Sequence, residues 1–388
     1  SESYIRTLCL YAKQKNVKII VWTWASCVRE NPEDWIKKMK DYGVSGAKID
    51  FFERNDQIAM RWGRDFAQRL ANHQMVALFH GCPVPAGINR TFPNILNFEA
   101  VRGAECNFWE KTLTPEYHTQ FPFIRSLVGP EDYTPGSMRN VTQEEFQPID
   151  KDDTPPMSMG TRAHELSMYV IYDQWIGYLC DSPTEYNKYP DILSFLSTVP
   201  VVWDKTVPLD AKLGDYILVA KQKGKDWYVG GMTDWTARTL EVDFGFLEAG
   251  VSYLADIFKD TSASGEQPKQ YVCERMEITK DTKLSIPMAK GGGFAIRLLH
   301  ASGSGITEVK QENPLIVYVE KETDTLHIKT EKRIEDVRIN DITGQTLFAR
   351  KYNDDVYSER INLSDFNKGI YVVSVKTAPA LASTTFIY

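Results

Sequence analysis

The chain has 388 residues and a net charge of −7, with 43 % hydrophobic and 25 % charged residues. That balance excludes a wholly disordered chain, a collagen or a coiled coil, and the length allows two to four domains at ~100–200 residues each. No apolar run reaches the ~18 residues of a membrane span. Lys and Arg are interspersed with acids, so nucleic acid is not an expected partner.

Ser1-Glu2-Ser3 has no initiator Met and runs straight into an amphipathic helix through Tyr4, Ile5, Leu8 and Tyr11. It reads as the interior of a longer protein. Residues 17–22 are predicted as the first strand. Asn31-Pro32-Glu33 predicts a helix start with an Asn cap and Pro in the first turn. Residues 46–52 form the second strand, followed by a helix through Ile58, Trp62, Phe66 and Leu70. Residues 75–80, 95–99 and 123–128 are the third, fourth and fifth. A helix over 163–176 leads to a sixth near Tyr178.

Alternating strands and helices imply a parallel sheet covered by helices. Neither GxGxxG after a strand nor GxxxxGK[ST] is present, so the phosphate-cradling signals of an open doubly wound sheet are missing. Polar residues cluster past the strand ends instead: Trp24, Asp50, His80, Glu99, Glu105 and Asp132. Such an array is what a (β/α)8 TIM barrel supplies, with its N-terminal strands missing from this chain. The expected division is a barrel portion over 1–195, an antiparallel β domain over 196–300 and a third unit over 301–388, the last two all-β and sandwich-like. Residues 301–305, Ala-Ser-Gly-Ser-Gly, read as a linker. Thr343-Gly344-Gln345 reads as a hairpin turn.

The six cysteines show no CxxC spacing, which disfavours a zinc or redox site. HExxH and GxSxG are absent too. Strand alternation puts Lys48 and Asp50 on one face, either as a buried ion pair or as a nucleophile beside a hydroxyl-binding Lys. Glu99 and Glu105 flank a short loop. They can neutralise Arg102, hold a hard cation, or act as acid and base. His80 is either a structural histidine or a sugar contact, and His164 reads as packing at a helix start.

Gly46–Phe52 (GAKIDFF), 90–96 (RTFPNIL), 99–105 (EAVRGAE), 129–136 (GPEDYTPG) and 161–166 (TRAHEL) together resemble glycoside hydrolase family 97. The resemblance implies a retaining, exo-acting α-glycosidase, foremost an α-galactosidase. A β-L-arabinopyranosidase, an α-glucosidase or a non-catalytic carbohydrate-binding fragment are the alternatives. By this resemblance Asp50 is the nucleophile and Glu105 the acid/base. Glu99 and Glu105 bind Ca2+, and Lys48, His80, Trp24 and Arg102 bind substrate, an oligosaccharide ending in an α-linked sugar. The family's inverting branch carries a base Glu after the strand of His80, where this chain has Gly81-Cys82-Pro83. Val337–Gln345 and Gly369–Val375 resemble the C-terminal sorting domains of Bacteroidetes secreted proteins, which implies export to the periplasm, cell surface or medium.

Overall fold

The computed structural model describes residues 2–149, 156–300, 316–320, 323–330, 332–341, 345–367, 369–377 and 380–387. They fall into two compact units, Ser1–Ala301 and Ser302–Tyr388, and the boundary expected near 195 lies inside the first. The expected linker at 301–305 lies outside the described residues, as do two of the three hairpin-turn residues at 343–345.

The first unit begins with a four-stranded parallel sheet: β1 (Ile20–Trp24), β2 (Gly46–Asp50), β3 (Val76–Phe79) and β4 (Ile95–Phe98), paired in that order. Sequential order without reversal is what right-handed strand–helix–strand units give when the sheet curls one way. Ala47, Ile49, Ala77, Leu78, Phe79, Ile95 and Phe98 are all buried. Helices cover the outer face. Gln57–Asn72 starts on Asp56, whose carboxylate accepts from the N–H groups of Ile58 and Ala59. It then buries Ala59, Gly63, Phe66, Ala67 and Leu70, one stripe at helical spacing. Pro32–Asp41 starts at Asn31, but that side chain makes no capping bond; Pro32 with Glu33 and Asp34 supplies the start instead.

Two expected strands are not strands. Residues 115–124 form a helix through Pro122, and Ser126–Val128 is a 3-10 turn. An apolar run of this length suits helix or strand alike, and the Thr114 cap with Pro115 decides for helix. The region near Tyr178 is irregular, and the helix predicted over 163–176 spans Arg162–Ile171. The fifth parallel position is a single bridge, Phe98 to Glu131.

A six-stranded antiparallel sheet follows, in the order Val272–Ile278, Tyr253–Lys259, Gly293–His300, Asp226–Thr233, Tyr216–Lys223, Lys205–Lys212. Arg238–Asp243 and Lys283–Met288 pair beside it. The helix Arg162–Ile171 lies against this sheet. A Cβ at Gly230 would meet Ile171 and Val170 at 2.9 and 3.0 Å, so glycine there lets helix and sheet approach.

The second unit has a three-stranded and a four-stranded antiparallel sheet around Leu326, Ile328, Val337, Ile339, Ile361, Leu363, Val373 and Val375, a sandwich-like core. No helix among the described residues is long and apolar enough to cross a membrane.

Candidate active site

The carboxyl ends of β1 to β4 and the segment after the Phe98–Glu131 bridge bring Trp22, Lys48, Asp50, His80, Glu99, Glu105 and Asp132 together. Asp50 ends β2 and is 6 % exposed. Its Oδ2 accepts from Trp22 Nε1 at 2.9 Å and faces His80 Nδ1 at 3.2 Å, and its Oδ1 accepts from the Phe51 N–H at 2.6 Å. Phe51 holds φ at +55°, a strained value for a bulky residue, and that turn aims its N–H back at the carboxylate. Burial works to raise the Asp50 carboxyl, but the His80 and Trp22 hydrogen bonds outweigh it and hold the group below its ordinary value. Asp50 is therefore an ionised carboxylate that accepts from three donors.

His80 Nε2 points the other way, 3.4 Å from Glu99, 3.9 Å from Asp132 and 4.0 Å from Glu105. Burial works against its charge, yet Asp50 and Glu99 raise its pKa above the ordinary value. Glu99 Oε2 accepts from the Gly81 N–H at 2.6 Å, and burial raises the Glu99 carboxyl. Glu105 enters a 3-10 turn, Ala104–Phe108, and is exposed.

Gly81 fills a special position. Its φ is +48°, and a Cβ there would lie 2.8 Å from Asp50 Oδ1. The Asp50 carboxylate sits where a side chain at 81 would begin.

Lys48 does not pair with Asp50. Its ammonium donates to Asp132 Oδ2 at 2.8 Å and lies 4.8 Å from the Tyr178 ring centre. Alternation placed Lys48 on the inner face correctly, but the partner arrives 84 residues later. Arg102 does not meet Glu99 or Glu105; it is exposed and pairs with Glu110. Trp24 is partly exposed, 5.0 Å from the Phe51 ring and 6.2 Å from Trp22. The sequence reading gave Trp22 no role beyond closing the apolar strand over 17–22, and placed Asp132 among the strand-end polar residues without a role. The two-residue step from Trp22 to Trp24, in register with Lys48 and Asp50, was the available signal.

His164 is wholly buried, as expected, and belongs to a directed chain. Gly292 O can only accept, so His164 Nδ1 carries its hydrogen (3.0 Å) and His164 Nε2 accepts from His118 Nδ1 (3.0 Å). His118 Nε2 then accepts from the Tyr133 hydroxyl at 2.5 Å. Burial pulls His118 well down and His164 to about 4, so both rings are neutral near pH 7.

Glu131, beside Asp132, is fully buried, and burial pushes its carboxyl up to about 8 against hydrogen bonds from Ser126 and the Asp173 N–H. A raised acid loses its proton more readily in the unfolded chain. Its contribution to stability is therefore present at low pH and is lost as pH rises from the ordinary value of 4.5 through 8. Glu131→Gln should gain thermal stability over the wild type between pH 5 and pH 8. An equal offset at both pH values in melting curves would refute a protonated Glu131.

Residues 1–101 match the family model described as glycoside hydrolase 97, and residues 202–299 match its C-terminal, oligomerisation region. The chain belongs to glycoside hydrolase family 97. Its residues 322–387 match the secretion system C-terminal sorting domain, so this family 97 chain is exported. It is 40 % identical over 296 residues to a retaining alpha-galactosidase of Bacteroides thetaiotaomicron, covering 76 % of this chain and 44 % of that protein. A probable retaining alpha-galactosidase of Streptomyces bingchenggensis is 30 % identical, over 77 % of this chain and 44 % of that one. The chain thus spans less than half the length of these curated relatives. A family 97 enzyme from Pseudoalteromonas sp. strain K8, solved with panose, superposes with a TM-score of 0.70 at 27 % identity, over 77 % of this chain and 49 % of that one.

Proposed function

We propose that this chain carries the catalytic centre of a retaining exo-α-galactosidase, with β1 to β4 an arc of a (β/α)8 barrel. The observation that carries the reading is the pair of acids on opposite nitrogens of His80: ionised, buried Asp50 on one side, exposed Glu105 on the other. A retaining mechanism needs one carboxylate that is always ionised and a second that exchanges a proton. Gly81 supports the same reading, because Asp50 occupies the space next to its backbone.

Asp50 attacks the anomeric carbon as the glycosidic C–O bond breaks, and Glu105 gives its proton to the leaving oxygen. The glycosyl–Asp50 ester is then cleaved by a water that passes its proton to Glu105. Lys48, fixed by Asp132, donates to sugar hydroxyls, and Trp24 offers an apolar face to the ring. The substrate is an oligosaccharide with a terminal α-linked galactose. The test is cleavage of nitrophenyl α-galactoside followed by proton NMR. The first product formed should be the α anomer. A β product, or hydrolysis of only the β-L-arabinopyranoside or α-glucoside, would overturn it.

The site also fits a calcium ion. Donor atoms of His80, Glu99 and Glu105 lie within 4.8 Å of one another, the span of a cation holding oxygens at ~2.3–2.6 Å. Asp50, Glu99, Glu105 and Asp132 are four acids around the single ammonium of Lys48, an excess of negative charge that favours a divalent ion. Glu99 and Glu105 would hold it, and when bound it would supply a fixed positive charge that steadies the acid/base carboxylate and the sugar oxygens. Chelation should lower both activity and melting temperature, with calcium restoring both. Unchanged values in the full-length protein would reject the site.

A further inference from the structure

Arg125 follows the helix Pro115–Ile124 and is 7 % exposed. It makes no ion pair among the described residues. Its guanidinium instead donates to four carbonyl oxygens: Phe98 at 2.9 Å, Glu99 at 3.1 Å, Gly129 at 2.9 Å and Pro130 at 3.2 Å. The first ends β4 and the second belongs to Glu99 itself, the next residue. The other two lead into Glu131-Asp132. Between these segments the backbone supplies little: one bridge, with Asp132 N–H on Phe98 O at 3.1 Å and Phe98 N–H on Pro130 O at 3.4 Å. A barrel strand this short cannot fix its own register firmly. A planar five-donor fork can, since it spans carbonyls on both segments at once.

We propose that Arg125 is a positioning residue, a guanidinium clamp that sets the spacing between Glu99 and the Lys48–Asp132 pair. Its kinetic readout rests on the glycosidase reading above. A buried guanidinium held only by carbonyls is costly to desolvate, and the fold keeps it where two site-bearing segments share a single bridge. Glu131 does not neutralise it near pH 7, because burial holds that carboxyl protonated up to about 8. The hydrogen bonds that hold the guanidinium therefore all end on backbone oxygens.

Arg125→Lys keeps the charge and loses the fork. In the full-length protein, kcat on an activated α-galactoside should fall at least about tenfold, and by more than KM changes, at temperatures where circular dichroism shows the variant folded. A purely structural Arg125 predicts a lower melting temperature with wild-type kcat below it, and that result overturns the clamp. If Arg125→Lys does not fold, Arg125→Ala is purified in millimolar methylguanidinium. Removing the cation should then abolish turnover before the folded signal is lost, and simultaneous loss counts against the proposal. If the wild type itself cleaves no glycoside, the proposed function fails and the clamp is judged on geometry. A crystal structure of Arg125→Lys should show Glu99 and Asp132 about 1 Å further apart, and unchanged spacing rejects it.

Discussion

Asp50→Ala is expected to lower kcat on an aryl α-galactoside by on the order of 10⁴-fold. The carboxylate accepts from Trp22, His80 and Phe51, and no other group occupies the same position. Truncation leaves room for a small anion beside the anomeric carbon. Azide should restore part of the turnover. Its nitrogen bonds to the anomeric carbon as the aryloxide leaves with the C–O electron pair, and the product is β-galactosyl azide. The same substitution leaves the Trp22 and Phe51 N–H groups without their acceptor, so stability should also fall by about 1–3 kcal/mol. A variant that loses stability without azide rescue would make Asp50 a structural partner only. A folded variant with near-normal turnover would defeat both roles.

Gly81→Ala is expected to cut kcat about 100-fold while leaving the protein folded. The added Cβ would sit 2.8 Å from Asp50 Oδ1 and 2.9 Å from the Phe51 nitrogen, and the backbone would carry a positive φ of +48°. The backbone strain costs on the order of 1–3 kcal/mol. The larger effect is on rate, because a nucleophile displaced by about 1 Å loses the attack geometry. Steady-state kinetics at 25 °C with a melting curve separate the two effects. Wild-type kcat with only a lowered melting temperature would show that Asp50 tolerates the methyl group.

What the sequence revealed and what it hid follow one physical divide. Period-2 alternation and short apolar runs are local, so β1 to β4, the inward face of Lys48 and Asp50, and the strand-end placement of His80 and Glu99 were legible. Partner choice across the sheet is not local. Lys48 meets Asp132, and Arg102 meets Glu110 rather than the two acids that flank its loop. The antiparallel sheet shows the same limit. Lys205–Lys212 and Val272–Ile278 are edge strands with mostly exposed side chains, so no buried stripe marks them in the sequence. Phe123–Val128 failed for the opposite reason, since its apolar run fits a helix as well as a strand.

The chain of hydrogen bonds from Tyr133 through His118 and His164 to the Gly292 carbonyl has a consequence for modularity. Each ring in it has a single direction of donation. The last acceptor belongs to the turn before Gly293–His300, whereas the first donor stands next to Asp132. A recombination point between the helix that carries His164 and the antiparallel sheet leaves the Tyr133–His118–His164 bonds whole and puts at risk only the last one, from His164 Nδ1 to the Gly292 carbonyl, at about 1–3 kcal/mol if that group is orphaned. An antiparallel sheet taken from a relative must therefore bring a turn that places a backbone carbonyl where Gly292 O stands, within reach of His164 Nδ1.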